Sequence, residues 1–187
     1  EFLRICAKHN PVNMGNGTRC ALAPEHDLKP SAHWNRKAEF NWTEVIDGVF
    51  RPGTVSAVFS NQEDAAACLK DIIEADFGLS VNISTSIANA KLVAEKNGLK
   101  RHSVEYSLET NDPHKHLPDS QVLALSTMCG HGLVSGNLAK KMIEMVREGR
   151  RSPEEGAKTL TRFCSCGIFN PERATCFLKE SIKNEDA

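Results

Sequence analysis

Residues 54–83, TVSAVFSNQEDAAACLKDIIEADFGLSVNI, switch twice between two hydrophobic periods, and that switching sets the expected fold. Val55, Ala57 and Phe59 recur every second residue, as on one face of a strand. Asn61 is then a helix cap, and Ala65, Cys68, Leu69 and Ile72 follow at helical spacing until Phe77-Gly78 closes the helix. Leu79, Val81 and Ile83 return to alternation as a second strand.

Working outward, Ser86 can cap a helix carrying Ile87, Ala90 and Ala94 that ends at Asn97-Gly98, and Val104, Tyr106 and Leu108 form a third strand. Strand, helix, strand, helix, strand predicts an α/β fold: a small, parallel, three-stranded βαβαβ layer, because crossover connections between such strands are right-handed and bring them side by side. On this reading residues 1–50 are an irregular N-terminal arm or lid, rich in Pro, Asn, Gly and His. Residues 51–110 are the α/β layer, and residues 111–187 are a helical cysteine-bearing segment packed with the layer as one domain. Trp34 and Trp42 are expected to pack the arm onto the body.

Within the C-terminal segment, Val134, Leu138, Met142 and Met145 mark an apolar stripe that Gly149 stops. Ser152-Pro153-Glu154-Glu155 has the cap, the first-turn proline and the returning glutamate of a helix start. Asn170-Pro171-Glu172 begins the last helix, with Ala174, Phe177, Leu178 and Ile182 as its buried face.

A chain of 187 residues can bury a core without staples, and 40% hydrophobic with 25% charged residues is the balance of a globular protein. A net charge of -1 argues against nucleic acid and anionic membranes as partners, which need an excess of Lys and Arg. No apolar run is long enough to span a bilayer and no signal segment is evident, so the expectation is a cytoplasmic protein acting on a small-molecule substrate or a protein partner. Three Asn-x-Ser/Thr sites, at Asn16, Asn41 and Asn82, are within what chance provides.

Seven cysteines without the dense even spacing of a small secreted domain favour metal binding or thiol chemistry over disulfides. Cys129-Gly130-His131-Gly132 precedes one helix and Cys164-Ser165-Cys166-Gly167 lies between two others, so three cysteines fall in loops. In a short extended stretch, Cys164 and Cys166 point to one side, and the neighbouring glycines let backbone amides approach sulfur. Helix starts beside them favour anionic thiolates. The expectation is a thiolate-bound centre on Cys129, Cys164 and Cys166, an iron–sulfur cluster of the 4Fe-4S type or, alternatively, zinc. Cys176 is the nearest fourth metal ligand, with His131, Cys6 or Cys20 as others; Cys68 reads as core.

With three protein ligands, one iron stays open to a substrate and His131 serves as acid or base, which implies a lyase-type enzyme performing hydration, dehydration or sulfur chemistry. A full ligand set implies instead a structural iron–sulfur or zinc module for partner docking, and metal-free cysteines imply thiol redox or sulfur transfer through Cys164 and Cys166. Other features have plainer readings. Ser84-Thr85-Ser86 could hold a phosphate or carboxylate, but a helix cap at Ser86 is the favoured reading. His114 and His116, like His26, Asp27 and His33, are turn residues, and Arg173 is a carboxylate binder or an ion-pairing surface residue.

Overall fold

The computed structural model describes residues 1–16, 42–50, 53–100, 117–164 and 166–183. Eight helices and two strands lie among these residues, in the order α1 (Phe2–Cys6), β1 (Asn13–Asn16), α2 (Trp42–Asp47), β2 (Val55–Val58), α3 (Gln62–Glu74), α4 (Ile87–Lys96), α5 (Ser120–Ser126), α6 (Gly136–Arg147), α7 (Pro153–Thr161) and α8 (Pro171–Lys183). Helix accounts for 54% of them.

The helices begin where the sequence offers a side chain for their orphan amides. Asn61 accepts from the Asp64 amide, Ser86 from Asn89, Asp119 from Val122 and Ser135 from Leu138. Ser152 and Glu155 form a reciprocal capping box at α7, and the Asn170 side chain accepts from the Arg173 amide at α8. Gly98 and Gly149, both with positive φ, follow α4 and α6.

The expected parallel βαβαβ layer is not what forms. The sheet has two strands, β1 and β2, paired antiparallel in the register Asn13↔Val58, Met14↔Ala57, Gly15↔Ser56 and Asn16↔Val55. Val55–Val58 is the strand its alternation implied, but its partner comes from the Asn- and Gly-rich N-terminal region. Leu79, Val81 and Ile83 alternate without forming a strand and are exposed, at 58, 39 and 40% of their surface. Alternation shows only that residues can share a face; a strand also needs a neighbour to satisfy its amides, and among the described residues none pairs there. The third expected strand, around Val104, Tyr106 and Leu108, lies outside the described residues, as do Trp34, Cys20, His26, Asp27, His33, His114 and His116.

The described parts of the expected irregular arm, residues 1–16 and 42–50, supply α1, β1 and α2. Leu3, Cys6, Met14, Val45, Cys68 and Ile72 form one apolar cluster, with Trp42 packed against it. A larger cluster fills the space between α5, α6, α7 and α8, around Leu125, Val134, Met142, Leu160, Phe169 and Leu178. Burying side chains of this size stabilises the fold by about 1.5–3 kcal/mol each. Gly156 brings α7 close to α8, because an added Cβ would stand 2.9 Å from a Leu178 methyl. On α8 the buried positions are Ala174, Leu178 and Ser181; Phe177 is partly buried and Ile182 is exposed.

The sheet joins the two clusters. The Asn13 side-chain amide donates to the Phe169 carbonyl at 2.8 Å, the Ser56 hydroxyl to the Cys166 carbonyl at 3.1 Å, and the Asn170 amide to the Phe59 carbonyl at 3.4 Å. Gly15 lies so near the loop after α7 that an added Cβ would fall 1.5 Å from the Cys166 carbonyl oxygen. Gly167, at φ +74°, meets the same strand from the other side, with the Met14 carbonyl oxygen 2.4 Å from where its Cβ would be. The sheet therefore sets the floor of the loop that carries Cys164 and Cys166.

Candidate metal centre

Cys129, at the end of the turn after α5, and Cys164, at the end of α7, are both buried in the larger cluster. Two short turns aim them. The Cys164 amide donates to the Thr161 carbonyl at 3.1 Å, and the Gly132 amide donates back to the Cys129 carbonyl at 3.0 Å. The second turn needs Gly132 at φ +68°, a conformation that side chains disfavour, and it leaves His131 exposed at the tip.

Cys166 is half-buried and stands between Cys164 and His131. Its sulfur lies 3.7 Å from the Cys164 sulfur and 3.4 Å from His131 Nδ1. Cys164 Sγ also accepts the Phe169 amide at 3.3 Å, a contact that suits anionic sulfur. Three thiols and one imidazole thus converge from two loops, 35 residues apart at the Cys166–His131 contact.

The Cys164 thiol is pushed up to about 12 from an ordinary 9.0, first by burial and then by the neighbouring Cys129 and Cys166 thiolates. With no cation present, the arrangement resists ionisation at Cys164. A reactive redox cysteine needs the opposite environment, so Cys164 is poorly suited to be an attacking thiolate. A metal ion would reverse the balance, because its charge deprotonates a coordinating thiol outright.

Among the described residues, no three His, Cys, Asp or Glu side chains stand in the arrangement of a formed metal site. The donors make two close contacts, Cys164 with Cys166 and Cys166 with His131, and Cys129 adjoins them as a third thiol that raises Cys164. Gly130 and Gly132 have no atom within 4 Å of an added Cβ, so the His131 side is open while the β1 side is closed.

The remaining expected site residues are elsewhere. Cys176 is exposed on α8, on the side opposite the buried Ala174 and Leu178. Cys6 and Cys68 are buried together in the smaller cluster, their sulfurs 3.7 Å apart. Ser86 is a helix cap, and the Arg173 guanidinium lies over the Phe177 ring at 5.2 Å. What sequence reasoning missed is Gly15 and Ser56, which fix the Cys166 carbonyl from residues 151 and 110 positions away in the chain. The available signal is Met14-Gly15, an apolar residue beside a glycine in a stretch otherwise rich in turn-forming residues. No helix among the described residues is long and apolar enough to cross a membrane. Compared with known proteins, the chain matches no family model, no curated protein and no solved structure.

Proposed function

We propose that this chain is a cytoplasmic metal-binding protein whose Cys129, Cys164, Cys166 and His131 hold a thiolate-bound metal centre. The observation that carries the reading is the sulfur separation of 3.7 Å between Cys164 and Cys166, with His131 Nδ1 3.4 Å from the second sulfur. Two thiolates on one tetrahedral ion, each about 2.3 Å from it, stand about 3.8 Å apart, and a thiolate and an imidazole on the same ion stand about 3.6 Å apart. A single ion of the zinc class, held by three cysteines and a histidine, is therefore the best-supported occupant. Its role is structural: a closed set of four ligands ties the turn after α5 to the loop after α7, and so ties both to the sheet that seats Cys166.

An iron–sulfur cluster of the 4Fe-4S type is the second reading, favoured by the open space over Gly130 and Gly132. Three thiolates on three irons must spread wider than two ligands of one ion, and the open side gives the Cys129 turn room to move. In that reading Cys129, Cys164 and Cys166 would hold the cluster, an open iron would supply Lewis-acid chemistry with His131 as acid or base, and the protein would be a lyase-type enzyme for a small hydroxy acid or sulfur compound. A cytoplasmic setting suits both readings, since the six described cysteines are free thiols.

The experiment is anaerobic purification followed by zinc, iron and sulfide determination and an absorption spectrum. One zinc per chain with a colourless protein is the expected result. Equivalent iron and acid-labile sulfide with a brown chromophore moves the assignment to the cluster. A protein that binds neither metal after anaerobic reconstitution overturns the centre altogether.

A further inference from the structure

We propose that Cys6 and Cys68 form a second, separate thiol site: a dithiol that closes reversibly to a disulfide and staples the N-terminal helix to α3. Both side chains are buried, at 1 and 2% exposure, and their sulfurs already touch at 3.7 Å across 62 residues of chain. A disulfide needs that distance to close to about 2.0 Å, a movement small enough for side-chain rotation and slight helix approach. His9 and Asp71 reinforce the same alignment with a hydrogen bond of 2.8 Å. Each lies three residues after its cysteine, so the two segments are joined at successive turns.

Among the described residues, no further group free to bind a metal stands beside these sulfurs. His9 Nε2 is occupied by Asp71, and the rest of the cluster is Leu3, Met14, Val45 and Ile72. The pair is also asymmetric. Sharing a proton with Cys6 holds the Cys68 thiol below the ordinary thiol range, while the same contact and burial push Cys6 well above it.

Access comes from α1, whose five residues are too few to be stable apart from their packing, so transient lifting of α1 exposes both thiols. The oxidant is a small-molecule disulfide. One of the two cysteines, as its thiolate, attacks one of its sulfurs and expels the other half as a thiolate. The other cysteine loses its proton and attacks the resulting mixed disulfide at the protein sulfur, releasing the second half. Two protein thiols are oxidised, one disulfide is reduced to two thiols, and the two protons end on those thiols.

The test uses the full chain, incubated with oxidised glutathione at mildly alkaline pH, blocked with iodoacetamide, digested without reduction and mapped by mass spectrometry. A single linked peptide pair joining Cys6 to Cys68 is expected, with a rise in melting temperature that dithiothreitol reverses. Cys6→Ser and Cys68→Ser should each abolish both signals. Alkylated Cys6 and Cys68 in the oxidised native protein, or a link that appears only in urea, would overturn the proposal. The wild-type map needs no substitution, so it decides even if a variant fails to fold. The readout is independent of whatever binds at Cys129, Cys164 and Cys166.

Discussion

Two pairs of sulfurs in this protein stand at the same distance, 3.7 Å, yet they are built in different ways. Cys6 and Cys68 lie on helices α1 and α3 inside an apolar cluster, and the nearby His9 and Asp71 are bonded to each other. Cys164 and Cys166 lie in a loop, with a backbone amide on one sulfur, an imidazole beside the other and a third thiol adjoining. Distance alone therefore does not define a thiol's chemistry. A loop can turn several donors and amides toward one point, whereas a helix presents one side chain per turn to a given neighbour and spends its amides on itself.

The comparison breaks most severely at Gly15, the residue that sits between the two regions. Gly15→Ala puts a Cβ 1.5 Å from the Cys166 carbonyl oxygen, which neither backbone can accept in place. Expelling β1 from the loop should cost about 2–5 kcal/mol, at the severe end for one substitution, and urea unfolding with metal content measured on the same samples would follow both losses. An unchanged midpoint and full metal would show that the sheet does not seat the centre.

Removing a proposed ligand should come next. Cys164→Ser is expected to weaken metal binding by at least about 100-fold in a competition assay with a chromophoric chelator, because one thiolate is lost and a hydroxyl is buried in its place. Cys68→Ser should leave metal content unchanged. Equal metal loss in the two variants would erase the distinction between the pairs.

Proton linkage sharpens the same contrast. In the metal-free protein Cys164 ionises at about 12 when folded and near 9.0 when unfolded, so the folded state holds the extra proton between those values. Its contribution to stability is complete below pH 9 and declines as pH rises toward 12. Stability measured by urea unfolding should fall across that window in the metal-free form and much less in the metal-loaded one, where the thiol is already deprotonated. A flat profile in the metal-free form would contradict the burial argument for Cys164.

The smallest effects are expected away from the Cys129, Cys164 and Cys166 cluster. Cys68→Ala, with bound metal unchanged, should cost about 1–2 kcal/mol for the lost packing of a small buried side chain. Cys176→Ser, on the exposed side of α8, should change stability by less than about 0.5 kcal/mol and leave metal content intact. A metal loss in Cys176→Ser, followed by the same chelator assay, would restore it as a ligand.

Sequence alone determined the features that depend on near neighbours. The caps at Asn61, Ser86, Ser152 and Asn170 were legible because each bonds an amide three residues on. The three loop cysteines were legible because glycines and helix starts flank them within a few residues. Tertiary structure decided everything that needed a distant partner. β2 pairs with Asn13–Asn16 instead of a strand at Leu79–Ile83, and Cys6 meets Cys68 across 62 residues. Gly15 and Ser56 hold the Cys166 carbonyl from the far end of the chain. A capping bond is fixed by local backbone geometry, so a few residues specify it. A strand partner or a thiol neighbour is chosen by which surfaces bury one another, and that choice is made by the whole chain at once.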